Sequence, residues 1–362
     1  MTFDASSGVA LAGRYYREVV APLVAARWPG LPYAAARLGS GSDVLGLDDV
    51  ASRDHDWGLR LTLLVPPGAV GEVSEHLEAA LPETYAGLPT RFATTWDPVV
   101  RHRVEVATAE AFVTSRLGLD ASGDFDAIDW LGLTGQSLLE VTAGDVFTDT
   151  AGILTGLRRK LAWYPDSVWR YVLAADWIRL GEDLPLMSRT GQRGDELGSR
   201  VMSGRIVSTA MHLAFMLERR WPPYPKWLGT MLTRLSFADD LVPALTAVAA
   251  ADQWRQRQEA VRTALVVLHR AQWATGLPTP ETGMTEPFFD RPFLGIRGET
   301  VTLLLDEVTD PLVLRLPPGV GAVEQWVDNV TVLTNPAARV ELVRHQFRAE
   351  EVAPRPVSDA TP

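Results

Sequence analysis

Hydrophobic and polar residues alternate between helical and strand periods over the first 120 residues. Helical spacing covers residues 8–28, residues 69–80 and the segment AEAFVTSRLG, whereas extended patterns cover residues 33–38, 56–65, 91–96 and 102–108. Helices interspersed with short strands of this kind are typical of a sheet with flanking helices. Residues 1–120 are therefore predicted to form an α+β domain.

From about residue 126 onward the pattern changes to long amphipathic helices that are interrupted by Gly and Pro. This pattern predicts a mostly α-helical C-terminal domain over residues 121–345. The Pro-rich stretch at 277–295 is predicted to be a long loop. Residues 346–362 are polar and contain several prolines, so they are predicted to form a disordered tail.

Composition narrows the chemistry that the chain can perform. The chain has no cysteine, which excludes thiolate nucleophiles, disulfides and Cys-ligated metals. Acidic residues outnumber basic ones by 45 to 34, and this excess disfavours binding to a long nucleic acid. The sequence shows neither a signal-peptide pattern nor an apolar run long enough to span a membrane. We expect a cytoplasmic protein that acts on a small molecule or another protein.

The segment GSGSDVLGLDDVASRDHDWG, at residues 39–58, contains two Gly-Ser pairs followed by acidic residues. It is not a dinucleotide-binding fingerprint, because the third glycine position is occupied by Val44. It is not a P-loop either, because Gly46 is followed by Leu47 and not by lysine. The segment is therefore either a phosphate or metal site of another kind or an ordinary polar turn.

Asp54 and Asp56 stand two residues apart at the start of an extended pattern. On a strand their side chains would lie on one face, about 6–7 Å apart along the chain. Two carboxylates placed in this way can hold Mg²⁺, while a Gly-Ser turn lets backbone and hydroxyl groups approach a phosphate. Gly39 and Ser40 are the candidate phosphate-binding residues, and Ser42 is the alternative offered by the second pair.

This arrangement resembles the minimal nucleotidyltransferase motif, in which Gly-Ser is followed by a spacer and Asp-x-Asp. The wider chain, over about residues 30–340, resembles the DUF4037 family of proteins. The likeness also runs through DWLGLTGQSLLEVTAGDVFTD, LAWYPDSVWRYVLAADW, RTGQRGDELGSR, PPYPKWLGTMLTRL and FFDRPF. The resemblance implies a nucleotidyltransferase-like mixed sheet with flanking helices, followed by the helical domain.

The resemblance also implies a third carboxylate, which would complete a site for two Mg²⁺ ions with Asp54 and Asp56. Glu105 is the candidate, because its neighbours Val104 and Val106 would face the apolar side of an alternating strand. Asp97 is the alternative.

The segment RTGQRGDELGSR allows two interpretations. Asp195 or Glu196 could accept the proton of an attacking hydroxyl, while Arg189 or Arg193 binds a triphosphate. Alternatively, Asp195 caps or begins a helix and the arginines are solvated.

Lys226, in WPPYPKWLG, is one of only two lysines in an arginine-rich chain. Its compact ammonium suits phosphate contact, and the surrounding rings could stack on a base. Alternatively, the rings belong to the protein core and the prolines form a rigid turn.

The resemblance implies transfer of a nucleoside monophosphate, with ATP as the donor of AMP, onto a hydroxyl of a small molecule or protein. The alternative is a catalytically silent module that binds a nucleotide or a protein partner on the same fold. A hydrolase or phosphotransferase at the same metal site is a third possibility.

Overall fold

The computed structural model describes residues 7–49, 51–52 and 56–350, with side chains as far as residue 347. Contacts divide these residues into two compact units. The N-terminal unit contains the described residues up to 124 together with 137–162; the helical unit contains 125–136 and the described residues from 163 onward. The sequence predicts a domain boundary at residue 120, whereas the contacts assign 137–162 to the N-terminal unit.

The elements are numbered along the chain. The strands are β1 (Ala34–Ala36), β2 (Arg60–Leu64), β3 (Thr84–Tyr85), β4 (Leu88–Pro89), β5 (Arg91–Thr94), β6 (Asp97–Ala107), β7 (Val146–Asp149), β8 (Thr285–Pro287) and β9 (Leu294–Ile296). The helices are α1 (Gly8–Tyr15), α2 (Ala21–Arg27), α3 (Val70–Ala80), α4 (Ala109–Leu117), α5 (Ala127–Leu131), α6 (Gly135–Thr142), α7 (Ile153–Lys160), α8 (Asp166–Gln192), α9 (Glu196–Leu217), α10 (Pro225–Leu232), α11 (Ala238–Ala250), α12 (Trp254–Ala274), α13 (Gly298–Asp306), α14 (Val323–Trp326), α15 (Val330–Leu333) and α16 (Pro336–Glu350). A π-helical turn at Tyr16–Val20 joins α1 to α2.

A five-stranded mixed sheet, in the order β5-β6-β2-β1-β7, forms the centre of the N-terminal unit. β1 pairs antiparallel with both β2 and β7, whereas β2 and β6 are parallel. The last four residues of β2 are all buried, as expected for a strand inside a covered sheet.

One face of this sheet packs against the first three helices. Leu61 and Leu63 of β2 and Val104 of β6 share a core cluster with Leu11 of α1 and Leu77 of α3. Successive side chains of a strand point to opposite faces. Residues at the intervening positions, which include Arg60 and Glu105, therefore lie on the other face of the sheet.

The helical unit is built around α8 and α9, which are 27 and 22 residues long. The turn between them contains Gly194, whose φ of +82° is strained for other residues, and α9 starts at its N-cap Asp195. Trp169 and Trp177 are fully buried along α8. This apolar packing accounts for the amphipathic pattern in the sequence.

The predicted α+β class is confirmed, with a mixed sheet and flanking helices followed by a mostly helical region. Within the stretch predicted as a loop at 277–295, the structure instead places a short hairpin of β8 and β9. α16 extends to Glu350, so the predicted tail is helical over 346–350, and its remaining residues lie outside the described part. Strand β7 was not expected. Within the described residues, no helix combines the length and apolarity needed to cross a membrane.

Candidate functional site

The Gly-Ser turn directly follows β1, the strand at residues 34–36. Gly39 and Gly41 have φ values of +81° and +140°, in a region that favours glycine. A Cβ atom at Gly41 would collide with the carboxylate of Asp43. The amide of Gly39 donates to the carbonyl of Glu140 over 2.8 Å, which ties the turn to α6. The first Gly-Ser pair is therefore held in a conformation that other residues rarely adopt.

A buried ion pair between Arg37 and Asp43 stabilises the turn. Arg37, only 2% exposed, donates from Nε and Nη2 to the two carboxylate oxygens of Asp43 over 2.7 and 2.8 Å. Its Nη2 also donates to the carbonyl of Ser40 over 3.0 Å, and its Nη1 donates to the carbonyl of Leu38. One guanidinium thus fixes the backbone on both sides of Gly39.

Two further acidic residues of the segment stabilise the loop that follows. Asp48 accepts a hydrogen bond from the amide of Gly8 at the start of α1, over 2.5 Å. Asp49 accepts from the amide and hydroxyl of Ser52 over 2.8 and 3.0 Å, and these bonds lower its pKa. The acidic run between the Gly-Ser pairs and Asp54 is therefore used for local structure.

Of the two aspartates in the Asp-x-Asp motif, only Asp56 lies within the described residues. Asp54 lies outside them, as do its neighbours Arg53 and His55. The half-buried carboxylate of Asp56 accepts hydrogen bonds from the amide and the hydroxyl of Thr95, both 2.6 Å long. These bonds fix the direction of the carboxylate, as partners of a metal ligand commonly do.

Glu105 lies in the strand that pairs in parallel with β2, directly opposite Thr62. Its carboxylate points away from the core and is 43% exposed, while its neighbour Val104 is buried. Arg116 of α4 donates from Nη2 to both carboxylate oxygens, over 2.9 and 3.1 Å. Nε of Arg116 lies 3.5 Å from the carboxylate of Glu140. Glu105 is thus oriented by an arginine from a neighbouring helix.

The alternative third carboxylate, Asp97, is bound by two arginines of its own strand. Arg101 and Arg103 contact its Oδ2 over 2.8 and 2.7 Å. Their hydrogen bonds lower the pKa of Asp97 to about 2. Both candidate carboxylates thus have arginine partners, and the choice of Glu105 over Asp97 as the third carboxylate stays a prediction.

Arg60 begins β2 four residues after Asp56 and lies beside the Gly-Ser turn. Its Nη2 is 3.5 Å from the hydroxyl oxygen of Ser40, and its guanidinium stacks on Trp96 at 4.9 Å from the ring centre. Among the described residues no carboxylate lies within ion-pair distance of it. Burial, together with the charge of Arg37, lowers the pKa of Arg60 to about 9. A desolvated cation beside other cations favours a bound anion.

The donor set of this region suits Mg²⁺, which prefers carboxylate and hydroxyl oxygens. Asp56, Glu105 and Ser40 provide such oxygens. Within residues 7–49, 51–52 and 56–350, no group of three or more His, Asp or Glu side chains is arranged to hold a metal ion. Because Asp54 lies outside that part, convergence of Asp54, Asp56 and Glu105 on two ions stays a prediction.

The acidic pair predicted for the helical unit lies at the start of α9. Asp195 caps this helix, with its Oδ1 accepting from the amide of Gly198 over 2.8 Å. The capping interpretation is therefore confirmed. Glu196 forms an ion pair with the fully buried Arg257. A role for either acid in proton transfer stays a prediction.

The predicted cationic groups of the helical unit lie on its surface. Arg189 donates to the side chain of Gln192 over 2.7 Å, and Arg193 forms the C-cap of α8. Lys226 is exposed, with Nζ 4.7 Å from the ring centre of Trp227. Trp221, in contrast, is buried and stacks on Trp130, which confirms the core interpretation for that side chain. Contact of these cations with phosphate stays a prediction.

The sequence interpretation missed the arginines around the Gly-Ser turn. Arg37 directly follows β1, Arg60 begins β2 and Arg116 lies in the last turn of α4. The local sequence signal for this cluster was Arg60, a charged residue at the start of the apolar strand RLTLL. Their proximity depends on strand pairing and helix packing, which spacing along the chain does not encode.

The described residues thus define an α+β protein whose N-terminal sheet carries a Gly-Ser turn, exposed carboxylates and a cluster of arginines. The model of a family described as "Domain of unknown function (DUF4037)" matches residues 130–228. This match confirms the predicted resemblance to DUF4037 over that part of the chain. The matched region contains α8 and α9 and ends within α10.

Among solved structures, the chain is similar to the crystal structure of a nucleotidyltransferase-like protein from Exiguobacterium sibiricum 255-15. The two share 12% sequence identity over 96% of each chain, with a TM-score of 0.33. A search of the curated proteins found no match.

Proposed function

We propose that the N-terminal unit is a Mg²⁺-dependent nucleotidyltransferase that moves a nucleoside monophosphate, AMP from ATP, onto a hydroxyl of a small molecule or a protein and releases pyrophosphate. The observation that carries the proposal is the position of Arg60. Its guanidinium lies beside Ser40 with no carboxylate partner among the described residues, on the sheet face that also carries Glu105. A triphosphate would supply the missing negative charge.

Each residue of the site has a distinct part in this proposal. The backbone and hydroxyl of Gly39 and Ser40 would contact a phosphate, because the absence of a Cβ at Gly39 leaves the turn open. Arg60 would neutralise the phosphate charge. Asp54, Asp56 and Glu105 would hold Mg²⁺, which when bound would supply charge neutralisation and activate the acceptor oxygen. Arg116 would orient Glu105.

One observation favours the silent module as a second candidate. In this structure both oxygens of Glu105 accept hydrogen bonds from Arg116, so this carboxylate already has a partner. A module that binds a nucleotide without reacting needs Arg60 and the Gly-Ser turn but not a free third carboxylate. Nucleotide binding without Mg²⁺ dependence would favour this candidate.

Titration calorimetry with ATP, GTP, CTP and UTP, with and without Mg²⁺, tests the proposal. We expect one nucleotide to bind in a Mg²⁺-dependent manner, and the Asp54→Ala/Asp56→Ala double variant to lose that binding. The matched control is Glu72→Ala/Glu75→Ala, which removes two exposed acids from α3. Binding that survives in the Asp54/Asp56 variant would contradict the metal site, and absence of binding by all four nucleotides would contradict both candidates.

The Arg60→Gln variant tests the phosphate contact separately from the metal. A charge-assisted hydrogen bond contributes about 1.5–3 kcal/mol, so the dissociation constant for the nucleotide should rise about 10- to 100-fold. Arg27→Gln, which changes an exposed arginine of the same unit, should leave it unchanged. Equal affinities for the wild type and Arg60→Gln, measured by the same calorimetry, would show that the triphosphate does not contact Arg60.

A further inference from the structure

A cavity lies entirely within the helical unit and was not expected from the sequence. It has a volume of about 470 Å³, within the range of small-molecule sites. One wall is a face of α9 on which Arg205, Ser208, Thr209 and His212 recur at helical spacing. Arg179 of α8 and Trp326 of α14 line the cavity from other directions. Charged and polar groups thus surround a space inside an otherwise apolar bundle.

Two of the three carboxylates that line this cavity, Asp176 and Glu324, already have partners, and the third, Asp328, is exposed. Asp176, only 1% exposed, accepts from Nδ1 of His212 and from Nε2 of Gln325, both over 2.7 Å. Glu324 accepts from the amide of Gly135 with both oxygens, at 3.1 and 3.0 Å. Its Oε1 also lies 3.6 Å from Nε2 of His212. These contacts use most of the acceptor capacity of both carboxylates.

His212 carries a positive charge in this network. Burial alone would lower its pKa, but the adjacent Asp176 and Glu324 outweigh burial and raise the pKa to about 10. At neutral pH both ring nitrogens therefore carry a proton. The protonated ring compensates one of the two negative charges carried by Asp176 and Glu324.

Two of the remaining polar groups of the cavity are donors without a partner. Among the described residues, Arg179 forms no ion pair, and the indole Nε1 of Trp326 is buried without a hydrogen-bond partner. Ser208 and Thr209 add two hydroxyls to the lining. A buried indole N–H and a half-buried guanidinium are normally paired, so these two unpaired donors indicate a ligand with acceptor oxygens.

We propose that this cavity binds a small molecule through an anionic group, a carboxylate or a phosphate, with Arg179 and the Trp326 indole as its contacts. Arginine is suited to both groups, because its planar fork donates two parallel hydrogen bonds. This proposal does not depend on nucleotide transfer by the N-terminal unit. Either proposal can be contradicted without affecting the other.

The test is a titration of the full chain, labelled with ¹⁵N at tryptophan, followed by the indole resonances in NMR spectra. The Trp326→Phe variant identifies the Trp326 resonance. The probes are inorganic phosphate, succinate and, as a cationic counterpart, putrescine, all at constant ionic strength. We expect a saturable shift of the Trp326 resonance with phosphate or succinate. A shift with phosphate would identify the bound group as a phosphate, and a shift with succinate would identify it as a carboxylate.

Arg179→Gln should raise the apparent dissociation constant for that anion about tenfold or more, because it removes the charged donor. Arg200→Gln is the matched control, since Arg200 lies on α9 and pairs with the exposed Asp252. The proposal is overturned if neither anion produces a saturable shift in the wild type, if putrescine alone does so, or if Arg179→Gln binds the anion as well as the control does. The wild-type titration decides this even if a variant fails to fold.

Discussion

Replacing His212 by alanine is expected to destabilise the helical unit by about 3–5 kcal/mol, because it leaves Asp176 as a buried charge without its cationic partner. Asp176 is almost completely inaccessible, and Nδ1 of His212 lies 2.7 Å from its Oδ2. Urea unfolding followed by tryptophan fluorescence measures the loss. The control His345→Ala removes an exposed histidine from α16 and should change stability by less than about 0.5 kcal/mol.

The same ion pair predicts how stability depends on pH. The pKa of His212 is about 10 in the folded protein, above its ordinary value of 6.5. The stabilisation from its protonated form is therefore complete below pH 6.5 and is lost as the pH rises toward and through 10. Wild-type stability should fall over this interval more steeply than that of His212→Ala. Parallel pH profiles for the two proteins, or a loss below about 1 kcal/mol in the variant, would contradict the assignment.

The second large effect is expected at Arg37. Arg37→Met leaves Asp43 buried without a partner and should cost the N-terminal unit about 3–5 kcal/mol in urea unfolding. The exposed ion pair of Arg101 with Asp97 provides the control, and Arg101→Met should cost at most about 1 kcal/mol. A loss for Arg37→Met no greater than that of the control would show that the buried pair does not hold the turn.

A double variant separates stability from function at the same position. Arg37→Met/Asp43→Leu replaces the buried pair by apolar side chains, so most of the lost stability should return. The carbonyl of Ser40 would still lack the donor that Arg37 provides, at 3.0 Å in the wild type. We therefore expect nucleotide affinity to stay low while the urea midpoint recovers. Recovery of both properties would mean that the turn does not need Arg37.

Much of the N-terminal sheet could be predicted because its signals are local. The apolar run that contains Leu61 and Leu63 identified β2, and the alternation around Glu105 correctly placed that side chain away from the core. Gly39 and Ser40 were predicted as phosphate-binding residues from residue type alone, and that role stays a prediction. Strand β7 was missed because its sequence, VFTD, is short and lies between Gly-rich segments with no alternation of its own.

The polar cavity of the helical unit could not be predicted because it depends on packing between distant segments. Asp176 and His212 are separated by 36 residues, and Glu324 by more than a hundred further residues. In the sequence, each of these residues has the pattern of an ordinary polar position on an amphipathic helix. Only when α8, α9 and α14 pack together do these positions share a cavity.

The central claim, that Asp54, Asp56 and Glu105 hold metal ions beside a triphosphate, is tested most directly by a crystal structure with Mn²⁺ and a non-hydrolysable ATP analogue. Mn²⁺ is located by its anomalous scattering. The account predicts two peaks about 3.5–4 Å apart, ligated by these carboxylates, with the triphosphate against Ser40 and Arg60. Nucleotide bound at another place, or bound here without metal at these carboxylates, would contradict it.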